Sequence, residues 1–471
     1  MKRIIVLAVV AAFQFASASQ LRSDAEIRQI LADRLEGFEK RVGIVVGVIG
    51  PDGRKIVAAG SMAMNDPRSV DGDTLFEAGS ITKAFTSLLL ADMVERGEVA
   101  LDDPVDKYLP AAVKVPARNG KPITLQDLSM HRSALPRMPS NFNPQNPVNP
   151  YVDYPVQRLY EFLSGHELRR EIGAEYEYSN LGAGLLGHAL ARRADLSYEG
   201  LLQQRVLRPL GMASTGIALT PALKARSAGA HTSVFLLAPT PLWEFTDAFA
   251  GAGSLRSSAN DLLTFLEANL RYTKTPLAAA MTRMLAVRRS GREKSDIGLA
   301  WNVEHRDGTE IVWHGGATYG SRAFMGFDPK ARVGVVVLSN YSTGSGIDDI
   351  GFHLLDRNTK VDNGNAVKPR VRVVSTVPAA SLDAYAGRYQ FSDNQFWIVR
   401  RDGTRFFLKR PSEPEFEIFP DGDFEKGNDD FFSKGEDALF TFDFDKDAPA
   451  RASQLTFSWG FFDPRRAKRV E

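Results

Sequence analysis

Two kinds of apolar pattern alternate along the chain. From Ala25 to Val42 apolar residues recur at helical spacing. "VGIVVGVIGPDGRKIVAAGS" then reads as two apolar strands about the turn Pro51-Asp52-Gly53. Ser80 to Arg96 predicts an apolar helix stopped by Gly97. Helical spacing recurs over 125–130, 155–164, 181–193, 201–207 and 259–271, and strands return at "EIVWHGG", "SRAFMGFDP" and "VGVVVLSN". Strands at both ends of a segment with helices between them predict an α/β (α+β) fold, one antiparallel sheet flanked by helices and completed by both ends.

Three stretches break the pattern. "MPSNFNPQNPVNPYVDY", 138–154, is too rich in Pro and Asn for helix or central strand, and a loop this long is expected to be functional or disordered. Residues 357–380 read as a linker, with the polar run "RNTKVDNGNAVKPR" at their start. Beyond it, 381–471 hold about half of the 29 Phe, in short alternating segments such as "RFFLKR", "LFTFDF" and "LTFSWGFF". Their even spacing predicts a small all-β barrel.

The N-terminus has its own logic. Lys2 and Arg3, an apolar run from Ile4 to Phe15 and the small residues Ala16-Ser17-Ala18 read as a secretory signal peptide over 1–18. The run is shorter than the ~20 residues that span a bilayer. The expected domains are therefore the signal, a main domain over 21–356, the linker and the barrel. The expected destination is secretion or a bacterial periplasm, with no membrane span in the mature form.

Composition narrows the function. At 471 residues, 44% hydrophobic and 24% charged, the chain can bury a sizeable core. A net charge of +1, with its basic residues scattered, gives no nucleic-acid partner. With no cysteine, disulfides, thiol chemistry and cysteine metal sites are excluded.

The candidate chemistry starts at "FEAGSITKAF". Ser80 stands at a helix start, where free N–H groups favour negative charge, and Lys83 follows one turn on, on the same face. A serine needs a neighbour to take its proton, and a lysine can do so if burial or a second cation lowers its pKa. Taken alone, the pair is also what an N-cap serine with a surface lysine looks like. Tyr178-Ser179-Asn180 opens another helix; by itself it fits a core tyrosine with a capping asparagine. His314-Gly315-Gly316 lies inside a strand pattern, and consecutive strand glycines suggest close approach of a ligand backbone. "HELRR" at 166 lacks the second histidine of a zinc-peptidase motif, and "YGSRAF" and "GAGSL" fail the G-x-S-x-G elbow.

In this order, Ser-x-x-Lys, Tyr-x-Asn and His-Gly-Gly resemble the penicillin-recognising serine hydrolases. The nearest branch holds class C β-lactamases, D-aminopeptidases, DD-peptidases and family VIII carboxylesterases. The resemblance runs over roughly 25–355, through "ITLQDLSMHRSALP", "VLRPLGMAST", "AGAGSLRSSANDLLTF", "IGLAW" and "MGFDPKARVGVVVLSN". It implies a β-lactamase/transpeptidase-like domain, and the C-terminal segment resembles the lipocalin-like barrels appended to such relatives. It also implies Ser80 as nucleophile, Lys83 as its proton partner, Tyr178 as general base or relay and Asn180 as a substrate-positioning amide. His314, Gly315, Gly316 and Ala317 would form the substrate-binding strand, with the N–H groups of Ser80 and Ala317 as oxyanion hole.

The implied reaction is acylation and deacylation of Ser80, on β-lactams or D-amino-acid peptides, with no cofactor and no metal. A carboxylesterase acting on small esters, or a penicillin-binding protein that acylates without turnover, are the alternatives. The resemblance departs at His314, where most relatives carry a lysine that meets a substrate carboxylate. A histidine of ordinary pKa there would improve carboxylate recognition as pH falls toward 6. The sequence leaves the oligomeric state open.

Overall fold

The computed structural model describes residues 21–471 apart from 39–40, 233–236, 307, 343–345, 363–371, 373, 392–394, 412–413, 423–428, 435–436, 446–447 and 460–463. The expected signal peptide and much of the expected linker lie outside the described residues.

The main domain is built on a nine-stranded antiparallel sheet. Its strands are β1 (Gly43–Gly50), β2 (Gly53–Ala63), β3 (Asp66–Ser69), β4 (Arg289–Ser290), β5 (Asp296–Ile297), β6 (Asn302–Arg306), β7 (Thr309–Ala317), β8 (Arg322–Asp328) and β9 (Val333–Ser339). The spatial order is β3-β2-β1-β9-β8-β7-β6-β5-β4, so N-terminal β1 pairs with late β9 and closes the sheet. Both faces of β1 are covered, which explains its unbroken apolar run in place of alternation.

On one face, helix α1 (Asp24–Arg34) and helix α5 (Asp348–Leu355) pack Ile27, Leu31, Ile350 and Leu354 onto Ile44 and Val335. The ion pair of Arg34 with Asp349 fastens these helices together. The helix expected over 25–42 stops at Arg34, because Leu35 caps it and Gly37 turns the backbone to φ +87°. On the other face lie α2 (Thr82–Glu95), α3 (Asn180–Ala194) and α4 (Ala259–Asn269). Every residue of α2 from Thr82 to Met93 is buried, as befits the central helix of this layer. The segment expected as helix over 201–207 is divided, with an α-helix at Tyr198–Leu202 and a π-helical turn at Gln203–Leu207.

The C-terminal strands close into an eight-stranded antiparallel barrel: β10 (Gly387–Phe391), β11 (Phe396–Asp402), β12 (Arg405–Lys409), β13 (Phe416–Pro420), β14 (Asp430–Phe432), β15 (Ala438–Asp445), β16 (Ala448–Trp459) and β17 (Arg465–Arg469). Period-two alternation puts Phe406, Phe431, Phe440 and Phe442 inside. Thr232 of the main domain donates to Asp437 of the barrel at 2.9 Å. Among the described residues no helix is long and apolar enough to cross a membrane.

Candidate active site

Ser80 lies in a single 3₁₀ turn, Gly79–Ile81, that leads into α2. Lys83 sits on the first turn of α2 and is almost fully buried. Its Nζ donates to Ser80 Oγ (3.0 Å), Asn180 Oδ1 (2.9 Å) and the Ala252 carbonyl (2.7 Å), which uses all three ammonium protons. Burial, with a smaller push from the Arg137 cation, nevertheless holds its pKa well below the ordinary lysine value. An amine of that kind can take a proton from Ser80.

Tyr178 and Asn180 reach this point because Ser179 caps α3, its Oγ accepting from Gly182 N–H at 2.8 Å. Ser179, not Asn180, is thus the cap, which leaves the Asn180 side chain for other partners. Asn180 accepts from Lys83 and gives its Nδ2 to Tyr151 OH at 2.9 Å. Tyr178 lines the cleft together with Ser80, and Lys83 Nζ lies 4.8 Å from the centre of its ring. Burial raises the Tyr178 pKa far above neutrality, so the side chain rests as a neutral phenol. It is positioned by buried His131, whose ring is 4.5 Å from it and whose Nδ1 accepts the Ser179 N–H at 3.1 Å.

Strand β7 passes beside the serine turn. A Cβ on Gly79, which has φ +50°, would stand 2.8 Å from Ala317 N, and a Cβ on Gly316 would stand 2.0 Å from the Ala78 carbonyl. Only glycines let the turn and strand touch. Thr318 N–H donates to Ser321 O at 3.1 Å and closes the β7–β8 hairpin. Because N–H groups alternate sides along a strand, the N–H of Ala317 points away from β8. Pairing of β7 with β6 stops at Trp313, so 314–317 form an open strand edge beside Ser80.

Glu77, which the sequence reading passed over, locks this arrangement. Its buried carboxylate accepts from Thr318 Oγ1 (2.6 Å), Ser321 Oγ (3.2 Å) and Trp243 N–H (2.6 Å). Burial pushes its pKa up against those hydrogen bonds.

His314 faces the cleft from β7 but is buried, with Nδ1 2.7 Å from the Gly315 carbonyl. Desolvation and the nearby Lys83 lower its pKa to about 4. It is uncharged near neutrality, so the expected gain in carboxylate binding toward pH 6 does not follow from this residue.

Ser80 opens on a cleft of about 1260 Å³. The long loop expected from its Pro and Asn content carries no helix or strand over 138–154, and lends Phe142, Pro144 and Tyr151 to the wall. Tyr151 stacks on Phe245 at 4.7 Å, and Trp243 Nε1 holds the loop through the Val148 carbonyl at 2.7 Å. Among the described residues no group of three or more His, Asp or Glu comes together as metal ligands would.

The chain's sequence and fold have counterparts among known proteins. The beta-lactamase family model matches residues 28–356, and a domain of unknown function, DUF3471, matches 371–467. The D-alanyl-D-alanine-carboxypeptidase/endopeptidase AmpH of Escherichia coli (strain K12) is 29% identical over 283 residues, covering 56% of this chain and 71% of AmpH. A class C beta-lactamase structure from Rhodobacter sphaeroides aligns with a TM-score of 0.58 at 27% identity, over 67% of this chain and 94% of that one. The octameric penicillin-binding protein homologue from Pyrococcus abyssi shares the fold over 94% of this chain and 99% of its own, at 20% identity and a TM-score of 0.61. A match over most of its length places the chain in the beta-lactamase family, among serine hydrolases of the β-lactamase and DD-peptidase type.

Proposed function

We propose that this protein is an exported hydrolase that forms an acyl-enzyme on Ser80 and cleaves the amide bonds of β-lactams or D-amino-acid peptides. The observation that carries the reading is the buried Lys83, hydrogen-bonded to Ser80 and held toward its neutral form. Export is supported by the charge and apolar pattern of residues 1–18.

In the first step the Ser80 proton passes to the Lys83 amine while Oγ attacks the substrate carbonyl. The developing oxyanion is received by the N–H groups of Ser80 and Ala317, donors typically worth a few kcal/mol each. Neutral Tyr178 gives its phenolic proton to the departing nitrogen and recovers one from the Lys83 ammonium. The C–N bond breaks and the acyl group stays on Oγ. Water then attacks the ester, its proton returning through the same pair, and Ser80 is restored. Asn180 accepts from Lys83 through Oδ1, and its Nδ2, which gives one proton to Tyr151, has a second to offer a substrate carbonyl.

A carboxylesterase is the second reading, favoured by one observation: His314 is uncharged where most relatives carry a lysine. The test compares kcat/KM for a peptide ending in D-Ala-D-Ala, a chromogenic cephalosporin and a short-chain nitrophenyl ester. Turnover of the peptide or cephalosporin supports the amide reading. Turnover of the ester alone rejects it for the esterase, and a burst without turnover rejects it for a penicillin sensor.

A further inference from the structure

Arg137 follows Pro136 at the rim of the cleft, directly over the candidate catalytic tyrosine. Its guanidinium carbon is 5.2 Å from the Tyr178 ring centre, the same ring that Lys83 Nζ approaches to 4.8 Å. The backbone there is fixed. The Arg137 carbonyl accepts from the N–H groups of Asn180 (3.1 Å) and Leu181 (3.2 Å), and the Pro136 carbonyl accepts from Ser179 Oγ (2.7 Å). The side chain is exposed.

Two cations of the cleft, Arg137 and Lys294, pair with no carboxylate among the described residues, and of the two it is Arg137 that lies over the Tyr178 ring. The acidic side chains of the cleft each have a cation of their own: Glu304 pairs with Arg306 at 2.6 Å, Glu293 with Arg292 at 3.6 Å, and Asp348 faces Arg322. Among the described residues no carboxylate pairs with Arg137. Arg137 and the Lys83 amine thus both approach one phenol ring, and the standing positive charge there is the guanidinium's. His314, whose ring centre is 6.4 Å from that of Tyr178, supplies no charge near neutrality. Arg137 lines the same cleft as Ser80, and a guanidinium with exposed N–H groups can grip the carboxylate of a substrate bound there with two parallel hydrogen bonds.

We propose that Arg137 is the specificity-determining cation of this cleft and that it receives a free carboxylate of the substrate, making carboxylate-bearing amides the preferred class. The inference rests on the amide-hydrolase reading and adds the residue that selects within it. A rival role exists for the same side chain: its field alone, by lowering the Lys83 pKa, would speed acylation by every substrate alike. Recognition and general activation predict different things for a matched pair of substrates.

The experiment uses a chromogenic cephalosporin with a free carboxylate and the methyl ester of the same compound. The readout is kcat/KM on the full chain for wild type, R137Q and R137K. Recognition predicts that wild type prefers the free acid and that R137Q lowers the acid-to-ester ratio on the order of tenfold or more. R137K should recover part of the ratio, because it keeps the charge and loses the fork. Raising the salt to about 1 M should shrink the wild-type ratio and leave that of R137Q nearly still. A ratio that R137Q moves less than about twofold, with both substrates slowed together, overturns recognition in favour of general activation. So does a wild-type preference for the ester. If wild type reacts with neither compound, the same acid and methyl-ester pair is made from a peptide ending in D-Ala-D-Ala, and failure there too removes the amide-hydrolase reading and this inference with it.

Discussion

Glu77→Gln and Glu77→Ala should behave very differently, although both remove the same charge. In the folded protein the Glu77 carboxylate accepts from two hydroxyls and the Trp243 N–H. Alanine leaves that N–H buried without an acceptor, at about 1–3 kcal/mol, and loses hydrogen bonds to a carboxylate worth about 1.5–3 kcal/mol each. Allowing the Thr318 and Ser321 hydroxyls to turn elsewhere, the total is on the order of 4–6 kcal/mol.

Glutamine keeps an oxygen for Trp243 and offers an NH2 to hydroxyls that accept as well as donate, so its cost should stay within about 1 kcal/mol. The pH dependence has a definite sign. The Glu77 pKa is raised by burial, so its contribution to stability is present below the ordinary glutamate value and lost as pH rises through the raised one. Glutamine loses nothing over that range. Urea unfolding of both variants at about pH 5 and pH 8 should therefore show Glu77→Gln gaining on wild type as pH rises. Since Thr318 adjoins Ala317, kcat should fall far more in Glu77→Ala. Equal damage from both variants, or a gap moving in favour of wild type as pH rises, would refute the reasoning.

Lys83→Ala should slow acylation by several orders of magnitude, and the rise of kcat/KM with pH that reports the lowered Lys83 pKa in wild type should disappear. A loss below about tenfold would mean that another group takes the Ser80 proton. Tyr178→Phe should cut turnover heavily with little change in Tm, because the ring and its contact with His131 remain; lost stability at unchanged turnover per folded molecule would make Tyr178 a packing residue. His314 should not titrate by NMR between about pH 5 and 8. With its pKa at about 4, stability is held above the unfolded value of ~6.5 and lost as pH falls toward 4, by up to ~3 kcal/mol relative to His314→Gln. An imidazole shift centred near 6.5 would contradict the burial argument.

What was legible in the sequence was short-range. Ser80 and Lys83 are one helical turn apart, and Tyr178 and Asn180 are two residues apart across the extended cap Ser179, so the co-presentation within each pair follows from local geometry. The fold class was legible for a similar reason, since runs such as "VGIVVGVIG" and "VGVVVLSN" announce buried strands at both ends of the domain. The residues that tune the site were not legible. The Ala252 carbonyl that fixes Lys83 is 169 positions away, and the Thr318 bond to Glu77 spans 241. Arg137 stands just past "HRSALP", yet only the packing of that turn against α3 puts it over Tyr178. His314 was correctly placed on its strand, but its charge is decided by burial, which a lone residue letter does not carry.

The central claim is that Ser80 is the residue acylated, and mapping the covalent adduct tests it most directly. Wild type and Ser80→Ala would each be treated with a labelled penicillin and a fluorophosphonate, digested, and read by peptide mass spectrometry. The account predicts one labelled peptide in wild type, containing Ser80, and no label in folded Ser80→Ala. Label on another residue, or label that survives in Ser80→Ala, would contradict it.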